Sequence, residues 1–117
     1  MPWLTRRPVP RSGEAMRIYL DDQRTPPDGW TLVRWPRDAI DLLETTTVKE
    51  ISLDHDLGDD GRGTGYDVIL WIEAAVAQGD YIPPSILIHT ANAPARKRME
   101  AGATSISRLL ESRRHHE

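Results

Sequence analysis

The chain contains no cysteine. That excludes disulfides and thiolate metal ligands and fits a cytoplasmic protein. It has no apolar run near the roughly 18 residues that a membrane span needs. Its opening, Met1-Pro2-Trp3-Leu4-Thr5-Arg6-Arg7-Pro8, lacks the apolar stretch of a secretion signal. It also lacks positive charge where a nucleic-acid groove would need it. Between Met16 and His89, six Lys/Arg stand against fourteen Asp/Glu, and only the two flanking ends are basic. This balance argues against duplex DNA as a partner and leaves open a small phosphate ligand met by a few arginines. What is present is ordinary for one soluble globular domain: 117 residues, 38% hydrophobic, 28% charged, net charge −3.

Residues 1–15, with three prolines, a glycine and three arginines, read as a disordered extension, and Met16 serves equally well as a start. Residues 17–21 (Arg-Ile-Tyr-Leu-Asp) read as a strand buried on both faces. Pro26-Pro27-Asp28-Gly29 forbids a helix after it. Trp30–Trp35 reads as a second strand stopped by Pro36. A helix over 37–44 follows, then a strand over 50–54, a helix over 66–78 closed by Gly79, a strand over 85–89, and a polar helix over 93–101 stopped by Gly102. Ser105-Ile106 reads as the start of a further strand, and residues 111–117 as a tail. Alternating strands and helices argue for a mostly parallel sheet of four or five strands in a three-layer α/β domain spanning 16–110. The first crossover is a Pro-rich loop, so one helix of the usual doubly wound pattern is missing or vestigial.

The acidic residues cluster where strands end. Asp21-Asp22 closes the first strand and Asp54-His55-Asp56 closes the third. In a parallel sheet these ends share the edge where ligands bind. Carboxylates gathered there repel one another unless a cation or proton neutralises them. Either Asp21 or Asp22 alone would serve as a turn or helix cap; the pair together with Asp54 points to a divalent metal, Mg²⁺ or Mn²⁺. His55, flanked by acids, suits general acid–base work, although an imidazole packed against a backbone carbonyl gives the same sequence. His89-Thr90-Ala91-Asn92 ends the fourth strand at the same edge. It offers a second imidazole, with Thr90 and Asn92 to hold phosphoryl oxygens, or with Asn92 simply as a helix cap. Arg24 and Arg96 are the arginines nearest the edge and suit forked phosphate contacts. Gly58-Asp59-Asp60-Gly61-Arg62-Gly63-Thr64-Gly65 matches neither phosphate-loop nor dinucleotide spacing.

Strand-end Asp21-Asp22, Asp54 and Thr90 resemble the acidic pocket and hydroxyl position of response-regulator receiver domains. The first helix of a receiver is absent, as is the lysine ending its fifth strand. A closer resemblance is to the receiver-like family named for cyclic-phosphate processing. It rests on four blocks in order: Leu20-Asp21-Asp22-Gln23-Arg24-Thr25-Pro26, Ser52-Leu53-Asp54-His55-Asp56-Leu57-Gly58, Gly63-Thr64-Gly65-Tyr66-Asp67 and His89-Thr90-Ala91-Asn92. The resemblance implies an enzyme acting on cyclic phosphates, such as 2′,3′-cyclic ends of RNA. The expected site has Asp21, Asp22 and Asp54 on the metal, and His55, His89 and Asp56 in acid–base roles. Arg24, Thr90, Asn92 and Arg96 are expected on the phosphate. The partner is then a cyclic-phosphate nucleotide or an RNA 3′ end, with neither duplex DNA nor membrane. The rival expectations are a non-enzymatic receiver phosphorylated or metal-bound at Asp54, and a small interaction module. Nothing in the sequence marks an oligomeric state.

Overall fold

The computed structural model describes residues 15–115. Apart from Ala15, the expected N-terminal extension lies outside the described residues. Four strands and three helices follow one another as β1 (Met16–Leu20), β2 (Thr31–Val33), α1 (Pro36–Thr45), β3 (Val48–Leu53), α2 (Gly65–Ala77), β4 (Ser85–Ile88) and α3 (Ala93–His115). A single 3₁₀ turn, Asp60–Arg62, interrupts the loop before α2. The strands pair in parallel in the order β2-β1-β3-β4, the start of the flavodoxin-like order. β1 and β2 are joined by loop alone, so the first helix is missing as expected.

The helices take one face of the sheet. α1 packs on α2 and α2 on α3. Beneath them lie Ile18, Leu20, Ile51 and Leu53, all fully buried with Val68, Ile69 and Ile72 of α2 and Met99 of α3. Alternate residues of each strand must then point the other way. They are Arg17 and Tyr19 in β1, Leu32 in β2, Glu50 and Ser52 in β3, and Ser85 and Leu87 in β4. β1 is therefore not buried on both faces: Met16, Ile18 and Leu20 are buried, while Arg17 and Tyr19 are half-exposed. The described residues build two of the three expected layers, the sheet and one helical layer.

The expected strand at Ser105-Ile106 is not formed. α3 runs on through Gly102 to His115, and so across most of the segment expected to be a tail. Gly102 signals a helix end in sequence, but here it serves packing. A Cβ on it would come 2.6 Å from Ile69 Cγ2, so its bare backbone lets α3 lie close to α2. Ile106 is buried in the core beyond it. The helix end is tied down by Arg113, which donates to the carbonyls of Val76 (2.8 Å) and Tyr81 (3.0 Å). Apolar burial thus outweighs the roughly 1 kcal/mol that glycine costs inside a helix. With α3 occupying this stretch, the sheet has four strands among the described residues.

The loops that shape the ligand edge are locally determined. Asp67 accepts from the N–H of Thr64 (2.8 Å) at the start of α2, half of a capping arrangement. Gly65 sits so close to β3 that a Cβ on it would overlap the Asp54 carbonyl oxygen. Asn92 caps α3, its Oδ1 accepting from Ala95 N at 3.1 Å.

Candidate active site at the carboxyl ends of the strands

Three strand ends converge. One ligand atom each from Asp21, Asp54 and His89 lies within 4.8 Å of the others. Parity explains the convergence. Tyr19 and Asp21, Ser52 and Asp54, and Leu87 and His89 are each two residues apart, so each pair takes one side of the sheet. Register then aligns them, with Tyr19 opposite Ser52 and Ser52 opposite Leu87. This is the side away from the helices.

His89 is held on three sides. Its Nε2 lies 2.9 Å from Asp21 Oδ2, its Nδ1 2.6 Å from Ser52 Oγ, and its ring stacks on Tyr19 with centroids 4.3 Å apart and planes 5° from parallel. An ionised carboxylate only accepts, so in the neutral ring Nε2 carries the proton donated to Asp21 and Nδ1 accepts from the Ser52 hydroxyl. Asp21 is 2% exposed. Burial pushes its carboxyl up, but N–H groups of Arg24 (2.9 Å) and Gln23 (2.8 Å), together with His89, outweigh that and hold it below its ordinary value. Asp54 accepts from the N–H of His55 at 2.8 Å.

A second cluster sits beside the first. His55 Nδ1 and Asp56 Oδ1 are 2.8 Å apart, and Asn92 Nδ2 donates to Asp56 Oδ2 at 3.3 Å. The hydrogen bond from His55 is the main reason the Asp56 carboxyl lies below the usual carboxylate range; desolvation opposes it in part, and the weaker bond from Asn92 adds to the lowering. With Nδ1–H fixed on a carboxylate, Nε2 of His55 is left without a partner among the described residues.

The profile of the cyclic-phosphate processing receiver domain matches residues 16–105. The chain belongs to that family. Among solved structures, it is similar to the crystal structure of the signal receiver domain of a putative Luxo repressor protein from Vibrio parahaemolyticus. The identity is 22%, the TM-score 0.51, and the match covers 88% of this chain and 95% of that one; the likeness shows the fold. No curated protein matches the chain.

In this cyclic-phosphate processing receiver domain the expected residues divide unevenly. Asp21, Asp54 and His89 come together, with His55, Asp56 and Asn92 alongside. Asp22 is not in the three-residue group; its Oδ2 faces the loop, 3.5 Å from where a Cβ of Gly58 would stand. Arg24 is half-exposed, donates from Nη1 to the His89 carbonyl (2.8 Å) and has its Nε 3.9 Å from Asp21 Oδ2. Arg96 spends its fork on the carbonyls of Thr90 (2.7 Å) and Ile88 (3.3 Å), fixing the β4–α3 turn. Thr90 is buried, and its Oγ1 accepts from Asn92 N at 3.2 Å. Two residues escaped the sequence reading, Ser52 and Tyr19, which together orient His89. A polar Ser52 inside an apolar strand was the available signal.

Proposed function

We propose that this domain hydrolyses a cyclic phosphodiester, with Asp21, Asp54 and His89 holding a divalent cation and His55 transferring the proton. The observation that carries the reading is the meeting of two carboxylates and an imidazole within 4.8 Å at the sheet's ligand edge. The donor set fits Mg²⁺ or Mn²⁺ through its carboxylates, and the imidazole favours the transition-metal ion. Coordination through His89 Nε2 requires its proton to leave. Rotation of the Ser52 hydroxyl to accept from Nδ1–H supplies that tautomer at no change in ring charge. When bound, the cation would neutralise the carboxylates and polarise the phosphoryl group.

The remaining work falls to the chain. Ring opening adds water to phosphorus and breaks one P–O bond to the ribose, leaving an alkoxide that needs a proton. His55 is the group equipped for it: Asp56, held by Asn92, fixes Nδ1–H and leaves Nε2 to exchange a proton with water or leaving oxygen. Both nitrogens of His89 are engaged, so it positions rather than transfers. Arg24, half-exposed beside Asp21, faces the incoming non-bridging oxygens.

Phosphorus NMR with 2′,3′-cyclic AMP tests the reading. The expected result is conversion to a single monoester with Mn²⁺ or Mg²⁺, abolished by EDTA and by Asp54→Asn. His55→Ala is expected to slow turnover by about 10²–10⁴-fold. Absence of conversion with any 2′,3′-cyclic nucleotide would overturn the hydrolase reading.

A further inference from the structure

Two arginines near the ligand edge, Arg24 and Arg96, are tied to backbone carbonyls, but two others are not. Arg34, just after β2, and Arg62, in the 3₁₀ turn before α2, come from different loops and meet over one ring. Their guanidinium carbons lie 4.8 Å and 4.0 Å from the Trp35 ring centroid. Trp35 is itself anchored against the core. Both arginines are exposed. Among the described residues neither makes an ion pair or hydrogen bond, although Asp59 and Asp60 stand close to Arg62 in sequence. Asp59 turns back to its own loop, accepting from Gly61 N at 2.9 Å, and Asp67 is occupied by Thr64 N. Contact through an aromatic face holds a guanidinium without using its N–H donors. Arg24 and Arg96 spend donors on carbonyls; Arg34 and Arg62 keep all of theirs.

The pair also sits beside the site. A Cβ on Gly58 would meet Arg34 Nη2 at 3.2 Å and Asp22 Oδ2 at 3.5 Å, so Arg34 and Asp22 flank the same glycine. Gly58 has φ +94°, a conformation that L side chains rarely adopt, and its bare backbone leaves room for both. Asp22 adjoins Asp21 of the three-residue group.

We infer that Arg34 and Arg62, set on Trp35, form a second anion subsite that takes the phosphate on the 5′ side of a nucleotide ending in a 2′,3′-cyclic phosphate. The inference rests on the hydrolase reading above and narrows its substrate to the 3′ end of a single-stranded RNA, rather than a free mononucleoside. An acidic body would otherwise repel such a chain. Two unspent guanidiniums at the ligand edge supply the local attraction that the whole molecule lacks.

The test compares kcat/KM for adenosine 2′,3′-cyclic phosphate, its 5′-phosphorylated form, and ApA ending in a 2′,3′-cyclic phosphate. Wild type and Arg34→Gln/Arg62→Gln are compared after circular dichroism confirms that both fold. The expected result is a preference of about 10- to 100-fold for the two substrates with a 5′-side phosphate, the size of a charge-assisted hydrogen bond. The double variant loses this preference while its rate on adenosine 2′,3′-cyclic phosphate, which has no 5′-phosphate, stays the same. An undiminished preference, or an equal loss on all three, overturns the subsite. Preference for the dinucleotide alone also overturns it, since the added base then does the binding. Binding separates the two readings if no substrate is turned over. Anisotropy of a labelled hexaribonucleotide bearing a 3′-phosphate, titrated across a KCl series, is expected to show weaker affinity for the double variant. Its slope of log K against log salt is expected to be shallower by about 0.7 per lost phosphate contact. Identical affinity and slope would overturn the subsite there too.

Discussion

The two faces of the sheet come from the same strands, often from adjacent residues, yet do different work. On the helical face, Ile18, Leu20, Ile51 and Leu53 are wholly buried and apolar. On the other, Arg17 pairs with Glu50 at 2.7 Å, Tyr19 stacks on His89, Ser52 bonds the same ring, and Leu32 and Leu87 are 48% and 45% exposed. The difference teaches that one face holds the fold together while the other aims the site. Asp21, Asp54 and His89 extend the open face, not the packed one. With only a loop between β1 and β2, none of the described helices covers that face.

The comparison breaks most sharply if a packed-face residue proves dispensable. Leu53→Ala is expected to cost about 2–5 kcal/mol, the range for emptying a close-packed site, measured by urea unfolding. Gly102→Ala comes next, at about 1–3 kcal/mol, because the new methyl would push against Ile69 where α3 crosses α2. An unchanged midpoint there would mean that α3 lies farther from α2 than described.

The acid side sharpens the contrast. Asp21 has its pKa lowered on folding, so its contribution is fully present above the unfolded value near 4 and is lost as pH falls through the folded one. Unfolding midpoints are therefore expected to drop below about pH 4, and Asp21→Asn to flatten that part of the profile. Tyr81 behaves in the opposite sense. Burial raises its pKa, so stability is retained below about pH 10 and declines above it, and Tyr81→Phe removes the decline. The smallest effect belongs to the open face away from the site, where Leu87→Ala is expected to stay within about 0.5 kcal/mol of wild type. A larger loss would mean that the face is covered in solution.

Much of this was legible from local pattern. Each helix and strand starts within a few residues of where apolar spacing, Pro36 and the Pro83-Pro84 break place it, because those signals act through the backbone of the same segment. The acidic residues at the ends of β1 and β3 and His89 after β4 followed from strand polarity alone. Gly102 misled because a glycine reads the same whether it ends a helix or lets two helices touch; only Ile69, 33 residues earlier, tells them apart. Arg96 looked like a phosphate ligand, but its fork closes the β4–α3 turn. Tyr19 carried no chemical signature of its own, and Ser52 only that of a polar residue inside an apolar strand.

The sequence by itself determined the alternation of strands and helices, the absence of a helix in the first crossover, and the collection of carboxylates at strand ends, since each depends on a short stretch of chain. Tertiary structure decided which alternate residues meet: Tyr19 of β1, Ser52 of β3 and His89 just after β4 come together, as do Arg34 and Arg62 from two loops around Trp35. Side-chain parity is local, but the register that aligns one strand's parity with the next is set by hydrogen bonds between segments and by helices packing on one face.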